Sequence, residues 1–164
     1  MKTLFLLRHA KASKEDPGLP DIKRPLTERG FSDGRLVSEV LRQQDLVPEK
    51  IISSSAVRAY TTAYLFAATF EKLTSDIELN GSLYEGEPED YLDVIHGIDN
   101  SFSSCMIAGH NNTITDVAAQ LLHVNLESMK TCGVVVITSE AERWEDFNKS
   151  NCTLKLNLYP SLIA

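Results

Sequence analysis

Short, almost uninterrupted apolar runs, separated by longer amphipathic stretches, constrain this chain more than any other feature. Thr3-Leu4-Phe5-Leu6-Leu7 is the clearest run. It lacks the polar alternation of a strand with one wet face, so it suits a strand covered on both sides. Ile51-Ile52 and Cys105-Met106-Ile107-Ala108 read the same way, and residues 133–138 and 153–158 add two more strands. A weaker strand is expected over 77–79, with room for a further one around Trp144.

Helical spacing fills the gaps. Thr27 can cap a helix reaching residue 44, with Phe31, Val37, Val40 and Leu41 as its apolar stripe. Residues 56–72 repeat the pattern through Tyr60, Ala63, Tyr64, Ala67 and Ala68. Pro88 suits a first helical position ahead of Tyr91, Leu92, Ile95 and Ile98. Asn111 or Asn112 can cap a helix carrying Ile114, Val117, Ala118, Leu121 and Leu122. Strands alternating with helices through right-handed crossovers predict a three-layer α/β/α sandwich with a mostly parallel central sheet. No repeat or linker interrupts it, so residues 1–164 are expected to form one domain.

The formal net charge of -7 argues against a sequence-independent grip on nucleic acid or an anionic membrane. Cys105, Cys132 and Cys152 are odd in number and lack metal-ligand spacing, which suits free thiols in a reducing compartment. The run Thr3 to Leu7 is too short for a signal-peptide core, and no stretch approaches transmembrane length. A cytoplasmic protein is expected.

In open α/β sheets, ligands sit beyond the carboxyl ends of the strands. Three such ends carry unusual side chains here. The first ends in Arg8-His9, the second leads through Ser53-Ser54-Ser55 to Arg58, and the fourth ends in Gly109-His110-Asn111. Taken singly, each has an ordinary reading as a solvated, ion-paired or helix-terminal residue. Two arginines and two histidines converging on one rim do not.

Those residues carry a family resemblance. Leu7-Arg8-His9-Ala10 resembles the Arg-His signature of the histidine phosphatase (phosphoglycerate mutase-like) superfamily. Arg24-Pro25-Leu26-Thr27-Glu28-Arg29-Gly30 resembles its R-x-L-T-x-x-G element. The stretch Ser54-Ser55-Ala56-Val57-Arg58-Ala59-Tyr60-Thr61-Thr62 resembles its S-x-x-x-R-A-x-x-T element, and Gly109-His110 its second histidine. The small size and the Arg-His-Ala-Lys-Ala opening are nearest to the SixA-type phosphohistidine phosphatases. The chain departs from the pattern at Ser55, where proline is common, and at Tyr60, where a glutamate or glutamine is. It is also too short for the insertions of the mutase branch.

The resemblance implies a metal-independent phosphatase with no cofactor. His9 would be the nucleophile, and Arg8, Arg58, His110 and Arg24 would bind the phosphate. Guanidinium groups span phosphoryl oxygens bidentately and favour the neutral, nucleophilic form of His9. A phosphohistidine would form on His9 and be hydrolysed by water. Glu85 occupies roughly the family position of a proton donor, and reads equally as a solvated carboxylate among Glu87, Glu89 and Asp90. The implied substrate is a phosphorylated protein bearing phosphohistidine. The alternatives are a small phosphomonoester or, from another class, phosphate binding without turnover.

Other phosphatase chemistries lack their residues. There is no H-x-H, H-E-x-x-H or D-x-H pattern for a metal. The sixth residues after the three cysteines are Asn111, Thr138 and Leu158 rather than arginine, and no two aspartates stand two apart.

Overall fold

Residues 1–163 are described by the computed structural model. Strand β1 (Lys2–Arg8) lies near the centre of a six-stranded sheet, and its pleat sends Leu4 and Leu6 to one face and Phe5 and Leu7 to the other. All four side chains are buried. Both faces therefore need cover, and four helices supply it. Helices α1 (Glu28–Gln43) and α2 (Val57–Thr69) pack on the Phe5 and Leu7 face through Val37, Leu41, Ala63 and Phe66. Helices α3 (Pro88–His96) and α4 (Thr113–Leu122) cover the Leu4 and Leu6 face through Tyr91, Ile95, Ile114, Val117 and Leu121.

The remaining strands are β2 (Lys50–Ser53), β3 (Glu78–Leu79), β4 (Ser104–Gly109), β5 (Val134–Ser139) and β6 (Cys152–Leu158). Their order is β3-β2-β4-β1-β5-β6. The pairs from β3 to β1 are parallel; β5 is antiparallel to both neighbours. The predicted α/β sandwich with a mostly parallel sheet is the observed architecture. Strand β4 lies between β1 and β2, which places their three carboxyl ends side by side. Register makes them level: Arg8 pairs with Gly109 and Ser53 with Ala108.

Local sequence explains the start of α1. The Thr27 hydroxyl accepts from the Gly30 amide at 3.0 Å and donates to the Lys11 carbonyl at 3.2 Å. A Cβ on Gly30 would stand 2.4 Å from that same carbonyl, so only glycine lets the helix abut the chain leaving β1.

Several boundaries differ from expectation. Helix α2 stops at Thr69, short of residue 72, because Glu71 turns left-handed (φ 58°) and the Glu71 and Lys72 amides return to the Ala68 and Ala67 carbonyls. Trp144 forms no strand. It starts a 3-10 turn, Trp144–Asp146, with its buried indole donating to the Phe102 carbonyl at 2.8 Å. Asn112 stands at the cap of α4, but its side chain makes no capping bond. The Asn111 amide instead reaches Thr115 and Ser128, tying the first turn of α4 to the following loop.

Candidate active site

His9 follows directly on β1 and is held by backbone on both sides. Its amide donates to the Gly109 carbonyl at 3.1 Å and its carbonyl accepts from Cys132 at 3.0 Å. The ring is oriented as firmly. Nδ1 lies 2.7 Å from the Ala10 carbonyl, which can only accept, so the ring proton sits on Nδ1 and the Nε2 lone pair is free. The Ala10 amide donates to the Thr62 hydroxyl at 3.0 Å, and that hydroxyl donates to the Arg58 carbonyl at 2.7 Å. Thr62 thus locks the segment after His9 to the first turn of α2.

Arg8 donates through Nη1 to the Met129 carbonyl at 2.6 Å, while its Nε is buried without a partner. Arg58 is only 7% exposed. Its Nη1 donates to the Asp21 carbonyl at 2.7 Å and its Nη2 to Asp21 Oδ2 at 3.0 Å. Arg24 reaches the same residue, donating through Nη1 to Oδ1 at 3.0 Å and through Nε to the Ser13 carbonyl at 2.9 Å.

His110 stands 5.3 Å from His9 between ring centroids. The Ser54 hydroxyl accepts from the Ala56 amide and lies 2.7 Å from His110 Nε2, a contact in which either group can donate. His110 Nδ1 is buried with no protein partner among the described residues. The approach needs Gly109: a Cβ there would fall 2.4 Å from the Tyr91 hydroxyl, which accepts from the His110 amide and donates to the Leu83 carbonyl, each at 3.0 Å.

Electrostatics keep both histidines neutral. Burial first, then the Arg58, Arg8 and Arg24 charges, bring His9 down to about 4, against the opposing pull of the Ala10 carbonyl. Burial first, then His9 and Arg58, bring His110 down to about 3. An unfolded histidine titrates near 6.5, so between about pH 6.5 and 4 the unfolded chain binds protons that the folded chain refuses. Stability therefore falls with acidification across that window, by at most about 1.4 kcal/mol per pH unit for each histidine. Urea midpoints at pH 7.5 and 5.0 should separate accordingly, and His9→Ala/His110→Ala should narrow the gap. An unchanged gap would contradict the depressed values.

The arrangement offers a fixed neutral imidazole with a free Nε2, three guanidinium groups and a second neutral, half-buried imidazole. Such a set can receive a phosphoryl dianion and stabilise charge on its oxygens. Five of the six residues singled out in the sequence, Arg8, His9, Arg24, Arg58 and His110, are brought to this rim. The sixth, Glu85, is exposed, left-handed (φ 57°) and without a hydrogen bond to any of them among the described residues. Its neighbour Tyr84 is the one turned inward. The Tyr84 ring packs edge-on against His110 at 5.6 Å and over Arg58 at 5.9 Å, and its hydroxyl donates to Asp21 Oδ2 at 2.7 Å.

Asp21 and Tyr84 are the site residues that sequence reasoning missed. The only local signal was the Asp21-x-x-Arg24 spacing; nothing in the sequence links either residue to Arg58. Two clefts of about 600 and 710 Å³ flank β3, but none of the site residues lines them. Among the described residues no group of three or more His, Cys, Asp or Glu side chains could hold a metal ion, and no helix is long and apolar enough to cross a membrane.

Known proteins share this geometry's framework. A family model described as the histidine phosphatase superfamily (branch 1) matches residues 4–92, more than half of the chain. A crystal structure from Agrobacterium tumefaciens, assigned as the phosphohistidine phosphatase SixA, superimposes with a TM-score of 0.84 at 26% identity, over 97% of this chain and 98% of that one. A protein histidine phosphatase SixA in complex with tungstate also gives 0.84, at 21% identity and 99% coverage of both chains. An uncharacterised chloroplastic protein of Arabidopsis thaliana is 28% identical over 153 residues, covering 88% of this chain and 70% of that protein.

Proposed function

The chain belongs to branch 1 of the histidine phosphatase superfamily, and from that premise we propose that this phosphatase removes phosphoryl groups from phosphohistidine in a protein, through a covalent intermediate on His9. The observation that carries the reading is the His9 ring: neutral, oriented by Ala10 through Nδ1, and presenting a free Nε2 beside three arginines.

His9 Nε2 attacks phosphorus as the P–N bond of the substrate breaks, and water then cleaves the new P–N bond to release phosphate. Arg8, Arg58 and Arg24 neutralise the equatorial oxygens throughout, and the His110 ring adds a neutral hydrogen-bonding group beside them. No metal is assigned to the reaction, because the guanidinium groups supply the positive charge.

The leaving group decides the substrate class. An alkoxide must be protonated as it departs, whereas a phosphoimidazole protonated on its other nitrogen leaves as neutral imidazole. Among the described residues, the one carboxylate hydrogen-bonded to Arg8, Arg24 or Arg58 is Asp21. Hydrogen bonds from Tyr84 first, then from Arg24 and Arg58, hold it well below the usual carboxylate range, so it has no proton to donate. Glu85 is exposed and unattached to the site. A site furnished this way favours a leaving group that needs no internal acid. Likeness to the SixA structures supports the same substrate.

The test is a side-by-side screen, in excess EDTA, of phosphohistidine proteins against p-nitrophenyl phosphate and alkyl phosphates. Phosphohistidine should be hydrolysed with EDTA present, and alkyl phosphates on the order of 10²-fold more slowly or worse. Glu85→Gln should leave phosphohistidine hydrolysis within about twofold of wild type, because no proton is required there. Rapid turnover of a metabolite phosphate that disappears in Glu85→Gln would make the protein a phosphomonoesterase instead. Oxyanion binding with no turnover of any substrate would make it a binding module, and activity lost to EDTA and restored by zinc or manganese would return a metal to the mechanism.

A further inference from the structure

We propose that Asp21 is a positioning residue that holds the Arg58 and Arg24 guanidinium groups at the angle required to grip the transferring phosphoryl group. The inference rests on the phosphatase reading of the site and adds a residue to it.

Asp21 lies in the 3-10 turn Asp21–Lys23, within a loop carrying Pro17, Pro20 and Pro25, well away in sequence from every strand end that builds the site. It nevertheless collects four hydrogen bonds from three of the site's side chains. Arg58 holds its carbonyl and Oδ2, Arg24 holds Oδ1, and the Tyr84 hydroxyl also holds Oδ2. A lone ion pair at a residue whose side chain is 51% exposed would count for little. Here, however, one carboxylate is shared by two arginines, and one of them is nearly buried. Two Arg58 nitrogens are engaged by the same residue, one through its backbone and one through its side chain. That fixes both the rotation and the tilt of the guanidinium plane, while leaving its other N–H groups free for a ligand.

A competing role would be an internal anion that fills the phosphate position until substrate displaces it. The contacts argue otherwise. The side chains hydrogen-bonded to Asp21 are those of Arg24, Arg58 and Tyr84. Its hydrogen bonds include none to Arg8, His9 or His110, and Arg8 Nε and His110 Nδ1 remain buried without partners. A plug at the phosphate position would engage those two buried atoms as well. Asp21 braces one side of the ring, through Arg24 and Arg58.

Charge supports the same role. Three guanidinium groups, one carboxylate and two neutral imidazoles leave the ring with two net positive charges, matching a phosphoryl dianion. The carboxylate also offsets the repulsion between Arg24 and Arg58, which would otherwise drive the more exposed Arg24 towards solvent. The Tyr84 hydroxyl, pushed up to about 12 chiefly by its bond to Asp21, remains a donor at any working pH and steadies the carboxylate from the opposite loop.

The experiment compares wild type with Asp21→Asn, Asp21→Ala and Asp21→Glu, measuring kcat and KM on p-nitrophenyl phosphate and the inhibition constant of tungstate. Because Asp21 is on an exposed loop, melting temperatures should move little. Asp21→Ala should lower kcat/KM by on the order of 10- to 100-fold, mostly through kcat, and weaken tungstate inhibition by about tenfold. Asp21→Asn keeps an acceptor without the charge and should fall between Ala and wild type, and Asp21→Glu should recover part of the loss. Tyr84→Phe, which removes only the buttressing hydroxyl, should shift kcat in the same direction by a few-fold. Tighter tungstate binding in Asp21→Ala would instead identify an internal plug and overturn the proposal. So would kcat/KM within twofold of wild type in both Asn and Ala variants of an active enzyme. Wild-type protein that neither turns over phosphate esters nor binds tungstate would overturn the phosphatase reading itself, and this inference with it.

Discussion

His9→Ala is expected to lose turnover by on the order of 10⁴-fold or more, with the melting temperature nearly unchanged. The side chain can be removed cleanly because the backbone does the structural work at this position. The His9 amide and carbonyl are tied to Gly109 and Cys132, and neither bond depends on the imidazole. Removing the ring also relieves a buried group that cannot be protonated near neutral pH, so the variant should resist mild acid at least as well as wild type. Wild-type enzyme quenched during turnover should carry a phosphoryl group that is acid-labile and alkali-stable, as a P–N bond is. Label on serine or aspartate, or a His9→Ala protein that still turns over, would be incompatible with His9 as nucleophile.

Replacing Arg8 or Arg58 with Ala should lower kcat/KM by on the order of 10²- to 10³-fold, since each loss strips a charged donor from the developing phosphoryl charge. The two variants should differ in how they fail. Arg8 has a buried Nε with no protein partner, so its truncation should act mainly on bound phosphate. Arg58 is also the partner of Asp21 and packs under the Tyr84 ring, so its loss should loosen the Asp21 loop as well. Increased protease sensitivity across residues 15–24 in Arg58→Ala, absent in Arg8→Ala, would register that difference. Lysine at either position should rescue only partly, because an ammonium cannot span two oxygens in a fixed plane. Full activity with lysine at both would contradict bidentate recognition.

The strand ends carrying these groups were legible because hydrophobic runs locate strands and the residues after them locate the rim. Arg8-His9 and Gly109-His110 follow directly on two of the apolar runs, so their place needed no tertiary information beyond the α/β pattern. Helix boundaries were less legible. Residues 70–72 continue the helical composition of α2, yet the backbone turns left-handed at Glu71, where no glycine announces it. Trp144 was ambiguous for a similar reason: a large aromatic among polar residues suits either a strand or a plug. The acceptors available at Asn100 Oδ1 and the Phe102 carbonyl settled it as a buried turn.

Glu85 and Tyr84 mark the sharper limit. They are adjacent in sequence, so a one-residue difference in register decides which faces the arginines. The positive φ of Glu85 belongs to a tight loop, and Tyr84 is drawn inward by an aromatic contact with His110 and a hydrogen bond to Asp21.

By itself the sequence determined the α/β class and placed Arg8, His9, Arg58 and His110 at or just beyond strand ends, because apolar runs, period-3.6 burial and strand-end chemistry are local properties, while the role of His9 as nucleophile is what the family resemblance implies. Only the tertiary structure decided that Asp21 braces the arginine pair, that Tyr84 rather than Glu85 faces the site, and that Ser54 meets His110 Nε2. Asp21 and Arg58 are far apart in the chain, as are Tyr84 and Asp21, and such side-chain contacts leave no periodic trace. They exist because strand order puts β4 between β1 and β2 and brings three loops to one edge. There, burial depresses the histidines and converging donors keep one carboxylate charged.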